Sequence, residues 1–366
     1  MKNLIKKGIN YMFSFRSRVK ASIKRKEYGV KTINDYYREK KRIDELENRI
    51  DFYSLAGTEL AEHEKNLSYL RTIGDLVPRK SWLEEKRKEK QELENAIFGD
   101  SQDASFYERF RPEIDYLRSC QEIKVFPYAF MDKSQEFKQN LAVYEQDNLR
   151  YVIHNNKKLF FPKMDDDSLK ETYVQLIMEQ NDNSPHKYFS ETVKFENGIF
   201  VDVGSAEGII SLDVIEKAKE IYLFESSEEW VNALRKTFAD YKDKIHVIQK
   251  YAGRVDGDET ISLNTVLSKY ENEDIFIKMD VEGMELEVLC GCTNVMQNNN
   301  CKFACASYHT QSMEEKLKKF FDNYNYKTET SDGYMLFIYG ALTMKNGMYE
   351  KMEFPYFRKG LVRAYK

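Results

Sequence analysis

The sequence has few of the features that mark exported, membrane-spanning or disordered proteins. Its 366 residues include only five cysteines, six prolines and 16 glycines, and its uninterrupted apolar runs are short. A helix that spans a bilayer needs about 20 apolar residues, so the sequence predicts none. Basic and polar residues interrupt the first positions, which therefore do not form a secretory signal. We expect a soluble cytoplasmic protein whose cysteines are reduced.

A large net charge is also absent, but the charge is unevenly distributed. The chain carries 57 basic and 61 acidic residues, and 42% of its residues are apolar, which excludes wholesale disorder. Residues 1–42 nevertheless carry a net charge of +11 and contain apolar residues at helical spacing. This pattern is typical of an amphipathic helix on an anionic membrane surface, and a helix that packs on protein is the alternative. Nucleic acid is not an expected partner, because the rest of the chain is acidic.

The next segment, residues 33–100, is rich in lysine, glutamate, arginine and leucine. Four apolar residues occupy the core positions of two heptads, which predicts helical hairpins or a short coiled coil that mediates self-association. A single helical layer on the main domain is the alternative. The predicted regions are a basic and helical region over 1–102, a mixed α/β lead-in over 103–190, and a catalytic domain with a C-terminal extension over 191–366.

Between residues 199 and 339, apolar strands alternate with amphipathic helices. This alternation predicts an α/β fold with a doubly wound, mostly parallel sheet, in which ligands bind beyond the carboxyl ends of the strands. Upstream, the dipeptide Asn155-Asn156 between two apolar runs predicts a hairpin turn. The predicted strands of the main sheet cover residues 199–203, 221–224, 246–249, 275–279 and 303–306.

The residues that close the first two of these strands indicate a nucleoside-containing cofactor. The first strand runs into the glycine-rich turn V-G-S-A-E-G at residues 203–208, and the second ends at Glu225, whose carboxylate can accept both hydroxyls of a ribose. Asp202 and Glu207 would repel the pyrophosphate of a dinucleotide, and the G-x-G-x-x-G fingerprint is absent. S-adenosylmethionine fits better, because it carries a cationic sulfonium and ammonium and no phosphate.

Residues 276–285 read F-I-K-M-D-V-E-G-M-E, and the following strand ends in Ser307-Tyr308-His309. Together with the glycine-rich turn, these residues resemble the FkbM family of S-adenosylmethionine-dependent methyltransferases over roughly residues 125–366. The resemblance implies a Rossmann-like class I methyltransferase domain and methyl transfer to a hydroxyl oxygen, often of a sugar. The sequence departs from the family at Ser307 and Tyr308, where many members carry a glutamate. The implied cofactor contacts are Asp202, Gly204, Ser205, Ala206 and Gly208 in the turn, Glu225 and Ser226 at the ribose, Ala252 and Gly253 near the adenine, and Asp280.

Methyl transfer to an alcohol is helped by a group that accepts the hydroxyl proton. His309 is our candidate for this base, and Asp280 and Glu282 are candidates for orienting the cofactor or the acceptor. Glu282 is also expected to cap the next helix. The three residues could bind a divalent cation, but their spacing across two strands does not establish that they converge, and a metal site is not favoured. Candidate contacts to the acceptor are Tyr308, His186 and Arg358.

The sequence therefore predicts an S-adenosylmethionine-dependent O-methyltransferase that acts on a saccharide in surface-glycan synthesis. The acceptor would be a sugar that is free or carried by a nucleotide or a lipid, and the enzyme would be cytoplasmic, with peripheral binding to the inner membrane face. Two alternatives remain open. One is a non-catalytic helical scaffold whose Rossmann-like domain is vestigial or senses a ligand, and the other is an NAD-linked sugar oxidoreductase.

Overall fold

The computed structural model describes residues 104–120, 124–337 and 356–366. The basic N-terminal segment and the predicted coiled coil, within residues 1–102, lie outside these residues. The chain divides into two units, and every described residue except Cys120 belongs to the second, which comprises Asp103–Ser119, Lys124–Thr343 and Tyr349–Lys366. Within the described ranges, no helix has both the length and the apolar character that crossing a bilayer requires.

The strands of the described residues form one large sheet and three small ones. In chain order they are β1 Tyr144–Gln146, β2 Leu149–His154, β3 Lys157–Phe161, β4 Gly198–Val203, β5 Ala218–Phe224, β6 Ile245–Ile248, β7 Tyr251–Ala252, β8 Thr260–Ile261, β9 Asp274–Met279, β10 Asn300–Ala306, β11 Lys327–Thr330, β12 Met335–Leu336, β13 Phe357–Arg358 and β14 Leu361–Tyr365.

The large sheet has the strand order β11-β14-β10-β9-β4-β5-β6. Its neighbouring strands pair in parallel except where β14 pairs with β10 and β11. The chain builds outward from β4 through β5 and β6, and then continues on the other side of β4 with β9 and β10. The strand order therefore reverses between β4 and β9, which is where a doubly wound sheet binds its ligand. The predicted α/β fold with a mostly parallel, Rossmann-like sheet is confirmed.

Strands β4 and β9 are apolar on both faces because helices cover both sides of the sheet. Every residue of β4 is buried. Val201 belongs to the hydrophobic cluster on one face of the sheet, together with Leu289 and Phe321, and the adjacent Phe200 belongs to the cluster on the other face. This burial on both sides explains why these strands read as continuous apolar runs and not as an alternating pattern.

Ten α-helices lie in the described residues. They are α1 Ala104–Arg109, α2 Arg111–Ser119, α3 Ser134–Asn140, α4 Asp166–Glu179, α5 Ile209–Val214, α6 Glu228–Thr237, α7 Leu263–Val266, α8 Glu285–Cys290, α9 Thr293–Asn298 and α10 Met313–Asn323. Short 3₁₀ helices cover Ala129–Lys133 and Ala239–Tyr241. The carboxylate of Asp165 caps α4 by accepting a hydrogen bond from the N–H of Ser168 at 2.8 Å.

A smaller antiparallel sheet of β1, β2 and β3 precedes the large one. His154 pairs with Lys157 across the turn between β2 and β3, so the turn consists of two residues. These are Asn155 and Asn156, with φ values of 47° and 64°. Two successive residues in the left-handed region are typical of the tight hairpin turn that asparagine favours, and the predicted hairpin is confirmed.

Candidate active site

The loop after β4 makes a tight turn that requires glycine at its first position. Gly204 has a φ of +75°, and a β-carbon on it would lie 2.1 Å from the carbonyl oxygen of Asp280. The N–H groups of Gly204 and Ser205 both donate to the carbonyl oxygen of Phe224, at 3.0 and 3.1 Å. Gly208, immediately before α5, also has a positive φ of 72°. The turn is therefore held against the ends of both β5 and β9.

Glu225 follows β5 and lies beside this turn. One of its carboxylate oxygens accepts from the N–H of Ala206 at 3.1 Å, and the other accepts from the N–H of Ser227 at 2.7 Å. Burial raises the pKa of Glu225, and these backbone donors offset only part of the increase. The structure thus places the carboxylate of Glu225 beside the glycine-rich turn, as the sequence predicts.

Ala252 and Gly253 lie at the small sheet of β7 and β8. Ala252 is in β7 and pairs with Ile261 of β8, and the N–H of Gly253 donates to the carbonyl oxygen of Ile261 at 3.0 Å. Neither these two residues nor Ser226 lines the cavity at the switch point. Their contacts with the cofactor stay predictions.

Asp202, the last polar residue of β4, forms a buried ion pair that the sequence analysis did not anticipate. It is 1% exposed, and its carboxylate lies 2.9 Å from the ammonium of Lys278 and accepts from the hydroxyl of Ser211 at 2.7 Å. Lys278 also donates to the carbonyl oxygen of Gly204 at 2.7 Å. Burial alone would lower the pKa of Lys278, but the negative charges of Asp202 and Asp280 raise it, so the lysine remains charged. The pair fixes the turn to β9 across the sheet.

A cavity of about 190 Å³ opens at the switch point between β4 and β9. Its walls include the turn, the end of α4, and residues that follow β9 and β10. The ionisable side chains in its lining, apart from tyrosines, are Glu179, Asp202, Glu207, Asp280, Glu282 and Lys278. Five carboxylates against one ammonium make the cavity a site for a cation and an unfavourable one for a phosphate.

Asp280 lies at the end of β9 and receives hydrogen bonds from two tyrosines. The hydroxyl of Tyr188 donates to Oδ2 at 2.9 Å, and the hydroxyl of Tyr308 donates to Oδ1 at 3.1 Å. A ring nitrogen of each of His186 and His309 lies 3.3 Å from the same carboxylate. Burial alone would raise the pKa of Asp280, but the two histidines lower it below the usual range. Asp280 is therefore an ionised anchor for the side chains around it.

His309 is buried behind Asp280 and is 3% exposed. Its Nδ1 lies 3.0 Å from Glu285, and its Nε2 lies 3.3 Å from Asp280 and 3.9 Å from Glu282. Although burial lowers the pKa of His309, these carboxylates raise it to about 9. The imidazole is then protonated at neutral pH and does not line the cavity. This geometry does not favour His309 as a free base, and the catalytic role stays a prediction.

The expected capping role of Glu282 is wrong. Helix α8 begins three residues later, and its capping residue, Met284, makes no side-chain capping bond. Glu285, the first residue of the helix, instead holds the preceding loop, because its Oε1 accepts from the N–H groups of Val281 and Gly283 at 3.1 and 3.3 Å. Glu282 has a φ of 57° and an exposed side chain at the edge of the cavity.

A comparison with known protein families identifies the segment that contains most of this site. Residues 201–328 match the family model described as the methyltransferase FkbM domain. This segment is an FkbM methyltransferase domain. It contains the glycine-rich turn, the Asp202–Lys278 ion pair, Glu225, Asp280 and His309, so the site described above lies largely within the matched residues. No curated protein matches the chain.

Solved structures show only distant similarity to the chain. The FkbM methyltransferase from Methylobacillus flagellatus KT is 15% identical, with a TM-score of 0.36, over 67% of this chain and 63% of that one. A precorrin-6y methyltransferase from Geobacter metallireducens GS-15 is 13% identical, with a TM-score of 0.31, over 47% and 83% of the two chains. An rRNA methylase from Streptococcus thermophilus is 11% identical, with a TM-score of 0.30, over 48% and 90%. At these scores, the similarities say nothing about the function of this chain.

Two of the three predicted acceptor contacts lie beside the FkbM domain's cavity. Tyr308 lines it, and His186 lies directly behind, with its ring centroid 5.3 Å from that of Tyr308. Arg358 does not line the cavity. Its guanidinium donates to the carbonyl oxygen of Tyr308 at 2.7 Å and to Gln311 at 2.9 Å, and burial lowers its pKa to about 10. Arg358 therefore supports the loop that carries Tyr308.

Several residues of the site were missed by the sequence analysis. Lys278 and Glu285 stand in the quoted F-I-K-M-D-V-E-G-M-E motif, and a charged residue within a buried strand is a signal that could have identified Lys278. Tyr188 and Glu179 come from outside residues 201–328, and the sequence assigned neither of them to the site. They join the site only because the segment before β4 packs against the end of β9.

Proposed function

We propose that this protein is an S-adenosylmethionine-dependent O-methyltransferase that acts on a saccharide. The observation that carries the proposal is the charge of the cavity, which has five carboxylates and one lysine in its lining. A sulfonium and an ammonium are attracted to such a site, and the pyrophosphate of NAD is repelled. The FkbM methyltransferase domain supports methyl transfer in general.

The cofactor would lie across the glycine-rich turn. A cavity of about 190 Å³ is smaller than the roughly 300–1,000 Å³ of most ligand pockets, so it would take only the methionine half. The ribose would then lie beside Glu225, whose carboxylate oxygens are 3.1 and 2.7 Å from backbone donors of the turn and of the following residues. The adenine would extend toward Ala252 and Gly253.

A hydroxylated acceptor is supported by the polar groups on the opposite side of the cavity. Asp280, Glu282 and Tyr308 all line it, and carboxylates and phenols form hydrogen bonds with sugar hydroxyls. In the transfer, the methyl carbon leaves sulfur and bonds to the acceptor oxygen, S-adenosylhomocysteine is released, and the hydroxyl proton passes to a base or to water. Positioning of the oxygen in line with the sulfonium supplies much of the rate.

The proposal is tested by calorimetric binding of S-adenosylmethionine, S-adenosylhomocysteine and NAD to the full chain. We expect both sulfur compounds to bind and NAD not to bind. Transfer of a labelled methyl group to a panel of sugars and nucleotide sugars then tests the acceptor. Binding of NAD alone would favour the oxidoreductase, and binding of none of the three to folded protein would favour the scaffold.

Glu207 should make cofactor binding depend on pH. Burial raises its pKa from 4.5 to about 7, so Glu207 is neutral below pH 7 and charged above it. Since a cation binds better to the charged form, affinity for S-adenosylmethionine should fall as the pH drops below 7, by up to about tenfold per pH unit. Calorimetry between pH 6 and pH 8 measures this change.

The control for this experiment is Glu207→Gln, which removes the titrating carboxyl but keeps the shape of the side chain. Any pH dependence that comes from the ligand's own ionisation persists in this variant, so the difference between the two proteins isolates Glu207. The same slope in both proteins would show that Glu207 does not respond to the bound cation.

A further inference from the structure

We propose that His309, Asp280 and Glu282 bind a divalent cation on the acceptor side of the cavity, with Glu285 orienting the imidazole from behind. The sequence could not establish that these residues converge. They come from the end of β9, the loop before α8, and the loop after β10, and the structure places them together. One donor atom each of Asp280, His309 and the orienting Glu285 lies within 4.8 Å of the other two, and Oε2 of Glu282 joins the group 3.9 Å from Nε2 of His309.

The two ring nitrogens of His309 face different carboxylates. Nε2 lies 3.3 Å from Oδ1 of Asp280 and 3.9 Å from Oε2 of Glu282, and both of these carboxylates line the cavity. Donor atoms bound to one cation at about 2.1 Å are separated by about 3 Å, so these distances suit ligands of a common ion. Nδ1 lies 3.0 Å from Glu285, which matches the pattern in which a ligating histidine is oriented by a carboxylate on its other nitrogen.

A second observation, separate from the grouping of acids, points to a ligand at this place. His309 is 3% exposed, yet neither of its ring nitrogens makes a hydrogen bond of acceptable angle with the described residues. Oε2 of Glu285, a residue with no exposed surface, is likewise without a hydrogen bond there. Buried polar atoms of this kind are uncommon because leaving them unpaired is costly. An ion at Nε2 would displace the proton that the surrounding carboxylates otherwise hold on the imidazole, and it would compensate their charge in the proton's place.

The donor set indicates the class of ion. Two carboxylates and one imidazole suit a divalent ion of intermediate hardness, such as Mn²⁺, and the opening of Asp280 and Glu282 to the cavity leaves positions for an acceptor oxygen. An ion there would lower the pKa of a coordinated hydroxyl. This effect on the acceptor hydroxyl rests on the proposed methyl transfer. The binding of the ion itself does not depend on that proposal.

The test is Mn²⁺ binding to the full chain without S-adenosylmethionine, followed by electron paramagnetic resonance and calorimetry. We expect one saturable site, which Mg²⁺ or Zn²⁺ competes for. Glu282→Gln should weaken Mn²⁺ binding by about tenfold or more, and His309→Ala should weaken it further. The matched control is Glu287→Gln, which removes the same charge from α8, where Glu287 lies 2.9 Å from Arg254 and not in the cluster.

The side chain of Glu282 is 65% exposed, so its variant should fold even if His309→Ala does not. Bound Mn²⁺ should also broaden the imidazole signals of His309 and His186 in the wild-type protein more strongly than that of His246. The proposal is overturned if the wild-type protein has no saturable site for any of the three ions, or if Glu282→Gln binds Mn²⁺ as tightly as Glu287→Gln. Cofactor binding is measured separately, so either result leaves the methyltransferase proposal to its own test.

Discussion

Replacing Lys278 with methionine is expected to destabilise the protein by about 3–5 kcal/mol, the usual cost of leaving one partner of a buried ion pair alone. Asp202 is 1% exposed, and Lys278 is the cation that its Oδ1 contacts, at 2.9 Å. The ammonium also holds the carbonyl oxygen of Gly204, so the variant loses the link between the turn and β9. The midpoint of thermal unfolding should fall by roughly 6–20 °C.

A double variant separates the charge effect from a loss of packing. Asp202→Asn combined with Lys278→Met removes both charges, and it should recover part of the stability that Lys278→Met loses. The control is Lys302→Met on the neighbouring strand β10, because Lys302 is partly exposed and forms no ion pair among the described residues. If the Lys278 and Lys302 variants unfold at the same temperature, the buried pair does not stabilise the fold.

This ion pair shows what the sequence could and could not predict. The strands were predictable because burial on both faces demands apolar residues throughout, and predicted strand 275–279 differs from observed β9, Asp274–Met279, by one residue. The partner of Asp202 was not predictable, since it depends on the register between β4 and β9, in which Asp202 lies directly opposite Lys278. Register between parallel strands is set by packing across the whole sheet, and no single segment encodes it.

The same reasoning applies to the site. The glycine-rich turn and Glu225 were predictable, because consecutive strands of a parallel sheet bring their carboxyl ends to one edge. The role of Tyr308 was not, because the sequence showed only a departure from the family pattern there. In the structure, the hydroxyl of Tyr308 donates to Asp280. The phenol and the carboxylate meet only because β9 and β10 are neighbours in the sheet. The sequence alone does not indicate where the hydroxyl of Tyr308 lies.

Replacing Glu225 with glutamine should reduce the affinity for S-adenosylmethionine by about 100-fold or more. If the carboxylate accepts both ribose hydroxyls, each hydrogen bond to the charged group contributes about 1.5–3 kcal/mol, and each 1.4 kcal/mol is a factor of ten. The glutamine side chain has only one oxygen that can accept a hydrogen bond, and its NH₂ group would face a ribose hydroxyl that donates to the wild-type carboxylate. Calorimetric titration measures the loss, with Glu228→Gln as the control, because Glu228 is exposed in the first turn of α6.

The stability of the Glu225→Gln variant distinguishes loss of the ligand contact from damage to the fold. Burial raises the pKa of Glu225 above its ordinary value, so the ionised carboxylate opposes folding at any pH above that ordinary value. A neutral amide removes this cost and can still accept from Ala206 or Ser227. The variant should therefore unfold at the same or a higher temperature than the wild-type protein while it binds the cofactor more weakly. Weaker binding together with a lower unfolding temperature would instead mean that Glu225 supports the turn and does not hold the ribose.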